Sequence, residues 1–379
     1  MQLGVVDAHP TESDHMAVLE FWRVGQTTPS TIAVDAPRLE AAGWDGMTVS
    51  DSQSMIGDSY VALAIAAQVT SSIGLAVGVT NPVTRHPAVT ASAIAGIQDV
   101  SGGRAHLGVG RGDASLAHIG LSPVTPSALS RYLQNVQTYL RGDAVDFNDL
   151  VENRLQLSSA KRSDTAPKDS RLQWMKPTMG KVPVDVAASG PGVIRIAAQF
   201  GDGVSFGIGA DEERMASAIE LATSARVEAG LDTDSFRMGA YINLVAHPDE
   251  SVAHSLASPG IAMFSRYLSA SDKQVGPLKR PAATQQALND PGKIRRCGAE
   301  GQDRLSASGA ENTSAFGILG TPAYCVERLV RLSQLGLDRV MIMGGAASSS
   351  SRDQRLLTES NEVLIQEVFP HVRERLDGM

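Results

Sequence analysis

Short apolar runs rich in β-branched residues alternate along this chain with longer stretches in which apolar side chains recur every three or four positions. The runs are Leu3 to Val6, Met47 to Val49, Ile73 to Val79, His106 to Val109, Val182 to Ala187, Gly203 to Phe206, Met238 to Val245 and Arg339 to Met343, which makes eight predicted strands. Helical periodicity lies between them. Asp58 to Val69 places Val61, Ile65 and Val69 on one face, and Pro322 to Leu335 does the same with Val326, Leu329 and Val330. A helix returns the chain to the end of the sheet where the previous strand began, so strands joined this way run parallel. Eight such units favour an α/β fold of the closed (β/α)8 TIM-barrel type over an open doubly wound sheet.

Glycine and proline mark several boundaries. Gly102 and Gly103 follow the helical Pro87 to Val100 stretch, and Gly336 follows Leu335, each suited to the positive φ that ends a helix. Pro37 lies inside the helix-like Ile32 to Ala42 and predicts a late start or a kink there. Two segments break the period. Residues 148–181 are polar and read as an inserted loop or hairpin, and residues 255–314 carry four prolines and a polar tract. Insertions that follow barrel strands fall on the C-terminal rim, where lids and substrate walls are built.

Composition narrows the function. Lys and Arg number 33 against 41 Asp and Glu, a net charge of -8, so binding to a polyanion is not expected and nucleic acid is excluded as a partner. No apolar stretch approaches the length of a membrane span, and the N-terminus lacks the basic and apolar regions of a leader, which reads as a cytoplasmic protein. The two cysteines, Cys297 and Cys325, have neither disulfide nor zinc-ligand spacing, and no histidine pair has helical metal-ligand spacing, so no metal is expected.

Three segments could carry chemistry. Gly102 to Asp113 ends a strand in Gly110-Arg111-Gly112-Asp113, where glycines admit close backbone approach and a carboxylate projects over the barrel mouth. Ile73 to Pro87 contains Gly78-Val79-Thr80-Asn81-Pro82, with a glycine inside a strand that marks a bulge or a close approach. Ser189-Gly190-Pro191-Gly192-Val193 opens a helix directly after a strand, and the free amides there attract a phosphate. Asp51, at the C-terminal end of the second run, occupies a position where barrel residues tend to be catalytic. Arg85, Arg111, His9, His15 and His86 could reach the same mouth.

Taken together in this order, these segments resemble the bacterial luciferase-like monooxygenase superfamily, and within it the deazaflavin branch that includes methylenetetrahydromethanopterin reductase. The resemblance rests on Gly78 to Pro82, Ser101 to Arg104, Leu107 to Asp113, Ala187 to Pro191, Gly201 to Gly203, Gly320 to Pro322 and Gly336 to Val340. It implies that residues 1–379 form a single luciferase-like TIM-barrel domain with the two insertions on its rim. It further implies a non-prolyl cis peptide at Gly78-Val79 backing a flavin-type ring. Val79, Thr80 and Asn81 would line the ring, Gly110, Arg111 and Gly112 would flank it, and Ser189, Gly190, Pro191, Gly192 and Val193 would hold the phosphate. Asp51 would lie beside the ring's carbonyl edge. Several relatives place a histidine after that aspartate where this chain has Ser52; Asp113 falls where those relatives have an acid and so is the first acid/base candidate, with Asp51 the other. The implied activity is hydride transfer between coenzyme F420 and a small organic substrate, in a homodimer. Two alternatives are an FMN-dependent monooxygenase and a barrel that binds a flavin or another ligand without turnover.

Overall fold

The structure is a computed structural model, and it describes residues 19–25, 27–150, 167–257, 317–345 and 350–379. Its strands and helices alternate as β1 (Glu20–Gly25), α1 (Ile32–Ala41), β2 (Gly46–Val49), α2 (Ser59–Val69), β3 (Gly74–Thr80), α3 (Pro87–Ser101), β4 (Ala105–Val109), α4 (Asp113–Ala117) and α5 (Pro126–Leu140). A short excursion follows, with β5 (Val145–Asp146), α6 (Phe147–Leu150) and β6 (Asp169–Ser170). The chain then resumes with β7 (Val184–Ala188), α7 (Pro191–Phe200), β8 (Gly203–Phe206), α8 (Glu212–Glu228), β9 (Arg237–Ala246) and β10 (Gly317–Gly320). It ends with α9 (Pro322–Gln334), β11 (Arg339–Ile342), α10 (Ser351–Val363) and α11 (Phe369–Asp377).

Strands β1, β2, β3, β4, β7, β8, β9 and β11 pair in that order and β11 returns to β1, all parallel, so the expected closed barrel forms. β9 pairs with β8 on one edge and is long enough to take two partners in succession on the other. Its first half pairs with β11 from Gly239 to Ile242, and its end pairs with β10 from Asn243 to Ala246. Outward-facing residues such as Leu75, Leu107, Val186 and Val340 are fully or almost fully buried beneath the helices, which makes one continuous apolar layer.

The predicted first strand, Leu3 to Val6, lies outside the described residues. β1 instead opens the barrel at Glu20, and the apolar pattern missed it because Glu20 and Arg23 interrupt the run. Glu20 and Trp22 belong to a charged layer at the N-terminal end. Trp22 lies over Gly46 and Gly74, where a Cβ would come within 2.2 Å and 2.6 Å of its ring. The His106 ring meets Trp22 edge-on at 4.8 Å and the Arg339 guanidinium lies 4.6 Å from it. Arg339 in turn bonds Glu20 at 3.0 Å and Asp185 at 2.6 Å, and Arg237 reaches Glu20 at 2.9 Å and Asp338 at 3.1 Å. The charges at this end are engaged with one another, opposite the end at which barrel enzymes do their chemistry.

Other expectations fare differently. Gly102 takes φ 69° and Gly336 φ 111°, as helix-ending glycines should. α1 begins at Ile32 with Pro37 inside it, so the late start does not occur; Pro37 simply lacks the N–H that would meet Ala33. In α9 the expected face is buried, with Leu329 and Val330 almost wholly enclosed. In α2 it is not. Val61 is 52% exposed and Val69 40%, whereas Tyr60, Leu63, Ala66 and Ala67 face the barrel. The helix is apolar all round, and periodicity alone cannot choose between two apolar faces. Within the first insertion β6 pairs antiparallel with β5, which lies just before it, and residues 151–166 are outside the described part; of the second insertion, 258–314 also lie outside it.

Candidate active site

The C-terminal ends of β2, β3, β4 and β7 form the side of the mouth that holds most of the expected residues. Along β3 and β4, Val77 faces Leu107 but Thr80 faces Val109, so β3 contains one residue more than its neighbour. That extra residue is a bulge at Gly78-Val79. Gly108 lies opposite, and a Cβ there would stand 2.3 Å from the Gly78 carbonyl oxygen, which restricts the position to glycine. The peptide Gly78-Val79 is trans, like every other among the described residues, which corrects the cis bond the resemblance implied. The bulge alone supplies the offset, because both facing positions lack side chains.

Beyond the bulge the chain is tied down. The Gly110 amide donates to the Thr80 carbonyl at 2.9 Å, and a Cβ on Gly110 would press to 2.7 Å against Val79. Gly112 takes φ 88° as the chain turns into α4. Thr80 is fully buried and its hydroxyl donates to Asp51 Oδ2 at 2.6 Å, while Gln53 donates to Asp51 Oδ1 at 2.8 Å. Asp51 is itself only 3% exposed, so its charge is held by these two donors and by Arg85, whose Nε lies 3.9 Å away. Arg85 also bridges to Asp58 at 2.5 Å and covers the Tyr60 ring at 4.3 Å. Asp58 caps α2 by accepting from the amides of Tyr60 and Val61. Arg85 is therefore engaged with carboxylates already and is a poor candidate for an anionic substrate group.

The remaining expected residues divide by what they touch. Asn81 is fully buried and accepts from the amides of Val83 and Thr84 at 3.0 Å while donating to Ser115, so it fastens the loop to α4. Arg111 directs its Nε to the Val124 carbonyl at 2.7 Å. His86 caps α3, accepting from the Ala88 amide through Nδ1, and burial holds its pKa below the ordinary histidine value. Asp113 is exposed at the first turn of α4 and makes no hydrogen bond among the described residues, so the structure does not join it to Asp51. Ser189 to Val193 do form a helix start: Gly190 is the cap with no side-chain bond, Pro191 is the first helical residue, and the Gly192 amide is left open. β7 pairs with β4, which sets this helix start beside Gly110. His9 and His15 lie outside the described residues.

Sequence reasoning missed Tyr241. It stands on the inner face of β9, and its hydroxyl donates to the Gly78 carbonyl at 2.8 Å across the barrel. Burial raises its pKa, which keeps the phenol a donor. A single tyrosine in an alternating strand gives no signal of this reach. Among the described residues no cluster of histidine, cysteine or carboxylate groups could hold a metal, and no helix is long and apolar enough to cross a membrane.

A closed parallel barrel with a bulged third strand, a buried carboxylate at the end of the second and an open helix start after β7 defines a (β/α)8 enzyme whose chemistry lies on the C-terminal rim. The chain belongs to the luciferase-like monooxygenase family, whose profile matches residues 15–339. It is therefore an oxidoreductase of that class. It is similar to the 5,10-methylenetetrahydromethanopterin reductase of Methanolobus tindarius, 27% identical over 88% of this chain and 95% of that protein. It is 31% identical to the F420-dependent glucose-6-phosphate dehydrogenase of Mycobacterium avium over 50% of this chain and 56% of that one. Among solved structures, the coenzyme F420-dependent tetrahydromethanopterin reductase of Methanopyrus kandleri shares the fold with a TM-score of 0.70 at 22% identity, over 94% of this chain and 99% of that one.

Proposed function

We propose that this protein transfers a hydride between coenzyme F420 and a small organic substrate. The observation that carries the reading is the bulge at Gly78-Val79, packed against Gly108 and Gly110, where a Cβ on Gly108 would strike the Gly78 carbonyl and one on Gly110 the Val79 side chain. These residues fit a flat ring laid against backbone, and the open Gly192 amide at the α7 start fits a phosphate. Val79, Thr80, Asn81, Gly110, Arg111 and Gly112 would line or flank the ring, and Ser189 to Val193 would hold the phosphate. Relatives with F420 in their names favour the deazaflavin over FMN. When bound, it supplies a carbon centre that gives or accepts a hydride.

The protein's own contribution is binding, orientation and a proton. Thr80 and Gln53 hold both oxygens of Asp51 in place at the rim, and Asp51 exchanges a proton with the substrate atom that gains or loses charge as the hydride moves. Asp113, exposed at the α4 start, is the second acid/base candidate.

Titration of the protein with F420 and with FMN, followed by oxygen-uptake measurements on whichever binds, tests the reading. Tight F420 binding without oxygen uptake is expected; FMN binding with oxygen uptake would replace it with the monooxygenase alternative. If wild type binds cofactor but turns over no substrate offered, the non-catalytic alternative stands; if it turns over and Asp51→Asn and Asp113→Asn keep full activity, neither carboxylate is the acid/base.

The reading extends to a homodimer. The exposed stripe of Val61 and Val69 on α2 and Val89 on α3, each at least 40% exposed, gives an apolar surface for a second copy. Val61→Glu is expected to shift the sedimenting species to a monomer.

A further inference from the structure

β3 is the strand on which the proposed ring site rests, and its bulge is contacted from inside the barrel by one hydroxyl. Tyr241, on β9, lies four strands away from β3, directly across the barrel with β11, β1 and β2 between them on one side, and its Oη reaches the Gly78 carbonyl at 2.8 Å. Gly78 and Tyr241 line the same interior recess as Thr48, Asp185, Ser205 and Met341. Thr48 and Ser205 are 1% and 2% exposed with hydroxyls that find no partner among the described residues, and they do not bond the bulge. The absence of a side chain on Gly108 leaves room for the Gly78 carbonyl beside the neighbouring strand, and Tyr241 bonds that carbonyl from across the barrel.

Resting on the proposed cofactor reading, we infer that Tyr241 is a positioning residue that sets the bulge and so the fit of the ring against Gly78-Val79. It acts through one carbonyl, that of the Gly78-Val79 peptide against which the proposed ring would rest. Removing a hydrogen bond to a buried backbone acceptor shifts an equilibrium by about tenfold.

The test compares wild type, Tyr241→Phe and Thr48→Val in F420 titrations, with thermal melting and the absorption spectrum of the bound cofactor recorded for each. Wild type must bind first; if it binds neither F420 nor FMN, the cofactor reading fails and the role of Tyr241 falls with it. Given wild-type binding, Tyr241→Phe is expected to bind about tenfold more weakly with a displaced bound spectrum, while Thr48→Val, which alters the same recess without touching Gly78, matches wild type. An unchanged affinity and spectrum in folded Tyr241→Phe would overturn the inference, as would an equal loss in Thr48→Val. Should Tyr241→Phe fail to fold, site-specific 3,5-difluorotyrosine at position 241 keeps the shape and the donor but makes the hydroxyl more acidic. A bound spectrum or affinity moved from wild type supports the role, and an unmoved one overturns it.

Discussion

Thr80 gives its hydroxyl hydrogen to Asp51 at 2.6 Å, joining the ends of two adjacent strands through side chains that are each at least 97% buried. Thr80→Val keeps the shape but removes the donor, leaving a buried carboxylate with one close partner fewer. The expected loss is about 2 kcal/mol in urea unfolding, in the range of hydrogen bonds to charged groups, with Thr80→Ser close to wild type. Equal midpoints for Thr80→Val and wild type would show that Asp51 does not depend on this bond.

Glu40 illustrates how a carboxylate stabilises a turn. Its Oε1 accepts from the amides of Ser71, Ser72 and Ile73 and from the Ser72 hydroxyl. Burial is the largest single influence and raises its pKa, but the Ile73, Ser72 and Ser71 amides and the Ser72 hydroxyl together outweigh it and hold the carboxyl at about 2. A pKa lowered by folding adds stability above the unfolded value near 4.5 and loses it as pH falls toward 2. Glu40→Gln is expected to cost about 1 kcal/mol at neutral pH, after discounting for solvent, and little at pH 2; a constant cost across that window would argue against the account.

His106 works in the opposite sense. Burial and the neighbouring Arg339 guanidinium hold its pKa down to about 4. Between 6.5 and 4 the unfolded chain takes up a proton that the folded one refuses, so stability falls as pH falls through that window. His106→Leu should remove about 1 kcal/mol or more of that pH dependence, allowing for the ring's partial exposure, as read by melting temperature between pH 7 and pH 4.

Arg104 follows the two glycines that end α3, and its guanidinium donates to the carbonyls of Ser101, Ile73, Ala67 and Thr70 and to the Thr70 hydroxyl. A lysine cannot reproduce this planar fork. Arg104→Lys is expected to lower stability by about 2 kcal/mol through lost charged hydrogen bonds while leaving F420 affinity unchanged; a selective loss of affinity would move Arg104 from scaffold to site.

Much of this arrangement was legible in the chain because glycine and proline carry geometric meaning. Gly78 inside an apolar run announced the bulge, and Pro191 after Gly190 announced a helix start. The α2 face was misread because Val61, Ile65 and Val69 are as apolar as the residues that do pack inward. Charges hid β1. Tyr241, Gln53 and the Asp51–Thr80 pair were invisible, since each depends on a contact between distant positions that no local period encodes. In sequence Asp113 ranks ahead of Asp51, and only packing reverses the order, since it distinguishes an exposed helix start from a carboxylate gripped by two donors.

Trp22 lies where Cβ atoms on Gly46 and Gly74 would be, which couples three positions that belong to three different strands. A homologous barrel that acquires alanine at either glycine must carry a smaller residue at the tryptophan position, and one that loses the tryptophan is free to vary both. Residues 22, 46 and 74 should therefore change together across descendants of this chain, a dependency that exists wholly in the floor of the barrel and constrains its evolution without ever meeting a ligand.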